Sequence, residues 1–245
     1  AAGRALKKTV MELGGSDAFV VLDDADLDFV VEWALKARMV NAGQSCIAAK
    51  RFVVVEAIAE AFVARFRHAM EALRPGDPRD PATTLAPMAR GDLRDQMHEL
   101  VEASVRAGAK VVTGCRKLEG PGFFYAPSIL DQVKPGMPAY EHELFGPVAT
   151  VIRAEDEEEA LRIANDSPFG LGGSVWTRDA ARGERFARRM ACGSAFVNGM
   201  VKSDPRMPFG GIKESGYGRE LSCFGIREFV NVKSLWIGAT GGMVE

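Results

Sequence analysis

Thirty-one basic against 33 acidic side chains leave the 245-residue chain with a net charge of −2, so it has no bulk attraction to nucleic acid or to an anionic membrane. Hydrophobic residues at 47% and charged residues at 26% suit an ordinary globular chain with a full core, as one large domain or two small ones. No apolar run approaches the ~20 residues of a bilayer span. Four isolated cysteines without a CxxC and three scattered histidines lack metal-ligand spacing and fit a reducing, cytosolic compartment.

The segment Ala1–Lys8 reads as the last turns of a helix already under way, and the lack of an initiator Met points to further protein upstream. Thr9–Leu13 reads as a short strand closed by Gly14-Gly15. An acid inside such a strand, Glu12, breaks the local pattern as functional sites often do; an edge glutamate facing water explains it as well. Ala18–Leu22 is the next strand. Asp26 is a predicted N-cap, because Leu27, Val30, Val31, Ala34 and Leu35 follow at helical spacing. That helix ends near Val40.

The stretch Asn41–Lys50 then turns the corner into a strand at Phe52–Val55, with Cys46 between a Gly-Gln-Ser turn and the strand. A thiol at such a corner can face a cleft while rigid elements fix it. Equally, it can be a small buried apolar residue, the common state of a free cysteine.

A second amphipathic helix carries Ile58, Phe62, Phe66, Ala69 and Leu73, and Pro75-Gly76 stops it. After a polar, proline-rich loop, a third helix presents Leu93, Met97, Leu100, Val101 and Ser104 on one face. Lys110–Thr113 is a strand and Phe123–Leu130 an extended segment. Glu141–Pro147 is a Gly-Pro turn bearing two acids and an aromatic; a solvated loop accounts for it as readily as a site. Val148–Ile152 is a strand. The acidic run Glu155–Glu159 precedes a helical pattern and complements its dipole. Ser174–Thr177 is a strand. The following helix bears Arg182, Arg185, Arg188 and Arg189 without interleaved aromatics, which reads as a solvated face and not a nucleic-acid surface. Ser194–Val197 is strand-like, Asn198–Gly218 is irregular, and Glu228–Ile237 alternates like a strand long enough to pair with another chain.

Strands alternating with helices imply an α/β fold: a mainly parallel sheet with helices on both faces, three layers in all. The tail strand would serve oligomerisation. No G-x-G-x-x-G fingerprint or P-loop occurs in the sequence.

Four segments, in this order and spacing, resemble the aldehyde dehydrogenase superfamily over essentially the whole chain. They are Glu12-Leu13-Gly14-Gly15, Gly43-Gln44-Ser45-Cys46, Glu143-Leu144-Phe145-Gly146-Pro147, and Pro208-Phe209-Gly210-Gly211 with Ser215–Glu220. Glu12–Asp17 and Gly76–Asp80 look most like the bacterial succinate-semialdehyde dehydrogenases. The resemblance implies NAD- or NADP-dependent oxidation of an aldehyde, with succinate semialdehyde as the substrate suggested. Cys46 would be the nucleophile, passing through a thiohemiacetal and a thioester, and Glu12 the base that activates the hydrolytic water. Leu13, Gly14, Glu143 and Phe145 would contact the cofactor. Phe209 would line the aldehyde tunnel and Ser203 would meet the substrate's distal carboxylate. Val40 stands where some such enzymes carry an arginine, with Arg38 close by.

The resemblance also implies an organisation. Residues 1–8 would end a cofactor domain that lies otherwise outside this chain, 9–205 would be the catalytic domain, and 206–245 a loop returning to the cofactor side plus the oligomerisation tail. A truncated chain of this kind would be poorly active alone. The expected setting is a cytoplasmic homo-oligomer, dimer or tetramer, acting on a small-molecule aldehyde without metal, nucleic acid or membrane. Three other readings compete: a non-catalytic oligomerisation or interaction module on the same fold, a cofactor-free thiol hydrolase using Cys46 and Glu12, and a nucleic-acid binder using Arg182–Arg189.

Overall fold

The computed structural model describes residues 1–238. In chain order these form β1 (Met11–Glu12), β2 (Ala18–Val21), α1 (Leu27–Met39), β3 (Arg51–Val55), α2 (Glu56–Glu71) and α3 (Gly91–Arg106). Then come β4 (Lys110–Thr113), β5 (Ser128–Asp131), the short α4 (Pro138–Glu141), β6 (Val148–Ala154) and α5 (Glu157–Asn165). The last third adds β7 (Phe169–Gly170), β8 (Gly172–Trp176), α6 (Ala180–Ala187), β9 (Ser194–Val197), β10 (Ile212–Lys213), β11 (Gly216–Tyr217) and α7 (Ser222–Glu228).

Among the described residues, seven strands form one sheet in the order β4-β5-β6-β3-β2-β8-β9. Every pairing is parallel except β4 with β5. Parallel strands are covered on both faces, so they read as continuous apolar runs; every residue of β2, β3, β5 and β8 is buried. Period-2 alternation sorts their side chains. Phe19, Val21, Phe52, Val54, Val151 and Trp176 pack with α1 and α2, while Val20, Val53, Val55, Ile152 and Val175 pack with α3, α5 and α6. On the first face Phe52 lies 5.1 Å from Phe19 and 5.0 Å from Phe66, ring centre to ring centre. The three-layer α/β reading holds.

Caps follow the sequence. Asp26 accepts from the Phe29 N–H at the start of α1, and Asp156 from the Glu159 N–H at the start of α5. The basic helix is neutralised locally: Arg182 pairs with Asp23, Asp24 and Glu157, Arg188 with Glu184, and Arg189 with Glu158. Among the described residues no helix is long and apolar enough to cross a membrane, and no group of three or more His, Cys, Asp or Glu could hold a metal ion.

Four expectations change. Ala1–Lys8 holds only a 3₁₀ turn at Gly3–Ala5 in place of the last turns of a helix, and Asn198–Gly218, read as irregular, contains β10 and β11. The strand Thr9–Leu13 shrinks to β1, because its partner β11 offers only Gly216 and Tyr217. The tail strand Glu228–Ile237 does not form: Glu228 closes α7, and residues 229–238 run without helix or strand, with Val232 94% and Trp236 86% exposed. An alternating pattern becomes a strand only against an edge that supplies hydrogen bonds, and no segment among the described residues supplies one here. The first part of segment 206–245 doubles back, β10 pairing with β7 and β11 with β1; its residues 239–245 lie outside the described residues.

Candidate active site

Strands β2, β3, β6 and β8 point the same way, so the loops that lead into them gather at one edge of the sheet. Gly14–Asp17 leads into β2, Asn41–Lys50 into β3, Glu143–Pro147 into β6 and Phe169–Leu171 into β8. The first three touch. The Gly15 N–H donates to Glu143 Oε1 at 3.2 Å. A Cβ on Gly14 would stand 2.7 Å from Glu143 Oε2, and one on Gly15 2.5 Å from the Cys46 carbonyl oxygen. Only glycine lets the three loops close to this distance.

The Cys46 turn is a shaped object. Asn41, Ala42 and Gly43 take φ of 50°, 54° and 76° in succession, left-handed values that only glycine adopts without strain. Asn41 and Gln44 hold each other's ends: Asn41 Nδ2 donates to the Gln44 carbonyl, and Gln44 Nε2 to the Asn41 carbonyl. From beneath, Arg38 Nη2 donates to the Gly43 carbonyl at 2.6 Å. Lys50 Nζ donates to the Ser45, Cys46 and Ala48 carbonyls, each at 3.1 Å, and lies 3.3 Å from Glu143 Oε1.

Cys46 is half-buried, and desolvation pushes its thiol above the ordinary range; Lys50 pulls it down, whereas Asp17 and Glu143 push it up. Burial also drives Asp17 up to about 6, Lys50 down to about 8 and Arg38 down to about 9. Asp17 Oδ1 accepts from the Gly172 N–H, which ties this cluster to the start of β8.

Glu12 sits on β1, just upstream. Both its carboxylate oxygens are buried and find no hydrogen-bond partner among the described residues. Desolvation raises its pKa, as does the charge of Glu220, while Arg219 lowers it. Its Oε1 lies 3.0 Å from where a Cβ on Gly210 would stand, so the carboxylate faces the Phe209–Gly210 loop. Phe209 itself exchanges backbone hydrogen bonds with Glu220. It lines a cleft of about 320 Å³ with Phe196, Met207, Lys202 and Asp204. Ser203 is exposed on the same loop and does not line that cleft. Arg38 is fully buried and does not line it either.

Leu13 is 46% exposed and Phe145 half-buried, and Glu143 keeps 21% of its side chain accessible. An apolar pair beside a carboxylate, with a glycine cradle between, suits a nicotinamide ring and its ribose. A carboxylate has about four acceptor sites, so Glu143 can accept a sugar hydroxyl while it keeps Gly15 and Lys50.

Sequence reasoning left Lys50, Asp17, Arg219 and Glu220 out of the site and noted Arg38 only as lying close to Val40. One signal was present: Lys50 precedes and Arg51 opens a strand whose other residues are all apolar. Both cations are buried, Arg51 holding the Ser16, Ile163 and Ala164 carbonyls.

The four thiols are ordered by environment. Cys223 is exposed, Cys46 half-buried, and burial pushes both Cys115 and Cys192 up to about 11. Limited alkylation with iodoacetamide near neutral pH is expected to label Cys223 first and Cys46 second. Cys115 and Cys192 should follow at least about tenfold more slowly. Peptide mass spectrometry reads the order, and a Cys46 as slow as Cys115 contradicts it.

Residues 1–235 match the aldehyde dehydrogenase family model. The NAD(P)+ succinate semialdehyde dehydrogenase Sad of Escherichia coli is 51% identical over 235 residues, covering 96% of this chain and 51% of its own. The NADP(+) succinate-semialdehyde dehydrogenase of Mycolicibacterium paratuberculosis is 50% identical over 239 residues, covering 98% and 51%. Among solved structures, the succinic semialdehyde dehydrogenase of Streptococcus pyogenes in complex with NADP+ superposes with a TM-score of 0.94 at 39% identity, over 97% of this chain and 52% of that one. The chain thus spans about half the length of the relatives it matches. Its fold, its motif order and these matches agree, and the chain belongs to the aldehyde dehydrogenase family.

Proposed function

We propose that this chain supplies the nucleophile and the base for NAD(P)-dependent oxidation of an aldehyde to its carboxylic acid, with succinate semialdehyde as the substrate. The observation that carries the reading is the meeting of the Cys46 turn, the Gly14-Gly15 corner and Glu143 at one sheet edge, with the orphaned Glu12 carboxylate just upstream.

In this reading the Cys46 sulfur adds to the aldehyde carbon, giving a thiohemiacetal, and oxidation at that carbon leaves a thioester on Cys46. A nicotinamide dinucleotide, when bound, supplies the hydride acceptor. Glu143 would hold its ribose, with Leu13, Gly14 and Phe145 along the nicotinamide. Glu12 takes a proton from the water that attacks the thioester; its raised pKa brings it toward the range where a carboxylate is an effective base near neutrality. Hydrolysis frees the acid and the thiol. Phe209 would flank the entering aldehyde. The names of the relatives support the substrate. Ser203 would donate its hydroxyl to the distal carboxylate, with Lys202 as the cation lining the neighbouring cleft, since Val40 has no charge and Arg38 is engaged with Gly43.

The free state of all four cysteines supports a cytoplasmic setting. The exposed apolar residues Phe229, Leu235, Trp236 and Ile237 support a homo-oligomer in which the tail is covered by another copy. Because the chain spans about half of its relatives' length and has no Gly-rich dinucleotide fingerprint, we expect slow turnover from these 245 residues alone.

The test is formation of reduced nicotinamide from succinate semialdehyde with NAD+ or NADP+, at enzyme concentrations that resolve a single turnover. Wild type is expected above Cys46→Ser. Equal signals would reject aldehyde oxidation through Cys46, and turnover matching the Escherichia coli relative assayed alongside would reject the expectation of a slow chain.

A further inference from the structure

A lysine at the mouth of a buried strand needs a reason. The Lys50 side chain is only 2% exposed, and a buried ammonium is tolerated only where its donors are met. Three acceptors are the carbonyls of Ser45, Cys46 and Ala48, all in the turn that carries the thiol. The fourth contact is Glu143 Oε1, from a loop on the other side of β3. An ammonium has three donors, so the carbonyls occupy the full set and the carboxylate is held chiefly by charge.

Resting on the reading of Cys46 as nucleophile, we infer that Lys50 is a positioning residue: it fixes the Cys46 turn by its carbonyls and ties that turn to the Glu143 carboxylate. One side chain thereby links the nucleophile to the residue that would hold the cofactor's ribose. The charges facing Cys46 are Lys50 against Asp17 and Glu143. Those facing Lys50 itself are Arg38, Glu143 and Asp17. Lys50 is thus the cation that favours the thiolate, in a setting where burial and two carboxylates oppose it.

A merely structural lysine and a charge-bearing one differ in the pH profile of the thiol. While Lys50 is protonated, the thiolate fraction of Cys46 rises with pH. Once Lys50 loses its proton, near pH 8, the ammonium–thiolate form and the neutral pair hold the same number of protons. Their ratio no longer depends on pH, and the rise flattens until the thiol ionises beside a neutral amine.

The experiment is the rate of Cys46 alkylation by iodoacetamide from pH 6 to 10 on the full chain, with Cys223 in the same sample as the standard. The wild-type rate is expected to rise, flatten near pH 8 and rise again. Lys50→Met should give a single rise, about tenfold slower at pH 7, with Cys223 unchanged. If Lys50→Met does not fold, Glu143→Gln removes the carboxylate partner, keeps the acceptor for Gly15 and should move the flattening to lower pH. A wild-type profile with a single rise overturns the inference, as does a Lys50→Met rate equal to wild type or a Glu143→Gln profile that stays put. Alkylation is read without turnover: if these profiles fail while Cys46→Ser abolishes oxidation, Lys50 alone loses its role. A fully active Cys46→Ser would reject the functional reading instead.

Discussion

Cys46→Ser is expected to lower aldehyde oxidation by on the order of 10⁴-fold or more, as removal of a covalent nucleophile does, whereas Glu12→Gln should stop the reaction halfway. In the proposed mechanism the two residues act on different bonds. There the Cys46 sulfur would make the carbon–sulfur bond and Glu12 would prepare the water that breaks it. Glu12→Gln keeps shape and burial but cannot take a proton, so hydrolysis should slow by about 10²–10⁴-fold. An acyl group should then accumulate on Cys46, visible as added mass on the intact chain. An activated ester reports the same two steps without cofactor: wild type turns over, Glu12→Gln gives a burst of about one equivalent, and Cys46→Ser gives neither. The pH profile adds a sign. As the proposed base Glu12 would work only when deprotonated, so its raised pKa is expected to set the acid limb of hydrolysis above the ordinary glutamate range. Glu220 contributes to that rise, so Glu220→Gln should move the acid limb to lower pH. A Glu12→Gln chain that turns over like wild type would remove Glu12 from the mechanism.

Much of this architecture was legible because parallel strands buried on both faces write themselves as apolar runs. Val53-Val54-Val55 and Phe19-Val20-Val21 need no partner to be recognised. The Asp26 cap was legible because its signal is local, and so was the acidic run at the start of α5, in which Asp156 proves to be the cap. Where the partner is distant, the reading fails. β1 is cut to two residues by what Gly216 and Tyr217 offer, and the tail's alternation meets no edge among the described residues. The site divides in the same way. Cys46, Glu12 and Glu143 stand in recognisable motifs, but Lys50 and Arg38 act on backbone carbonyls. A carbonyl has no sequence signature, so a cation buried against a set of them looks like any other charged residue until the chain is folded. The cysteines show the converse. The motif singles out Cys46 in the sequence, but only the fold shows that burial drives Cys115 and Cys192 up to about 11 while Cys46 lies beside an ammonium.

The turn before Cys46 is where fold and site depend on a single hydrogen atom. Gly43 has a φ of +76°, and a Cβ there would stand 2.1 Å from the Gly146 carbonyl oxygen and 2.8 Å from Arg38 Nη2. Neither neighbour can retreat cheaply. Gly146 is backbone in the loop that presents Glu143 and Phe145, and Arg38 is wholly buried with Nη2 on the Gly43 carbonyl. Gly43→Ala therefore adds a strained conformation, about 1–3 kcal/mol, to a backbone clash of about 1–3 kcal/mol. For a chain of this size each kcal/mol moves the melting temperature by about 2–4 °C, so a fall of roughly 10 °C is expected. Gly136→Ala is the control: its φ is +84° but nothing lies within 4 Å of the added Cβ, so strain acts there without collision and the fall should be about half as large. The clash also pushes apart the Cys46 turn and the Glu143 loop, so Gly43→Ala protein that remains folded should lose the flattening near pH 8 in Cys46 alkylation, whereas Gly136→Ala keeps it. Equal melting temperatures for the two variants would mean that the contact between Gly43 and Gly146 bears no load, and that the nucleophile's turn is held by its own hydrogen bonds instead.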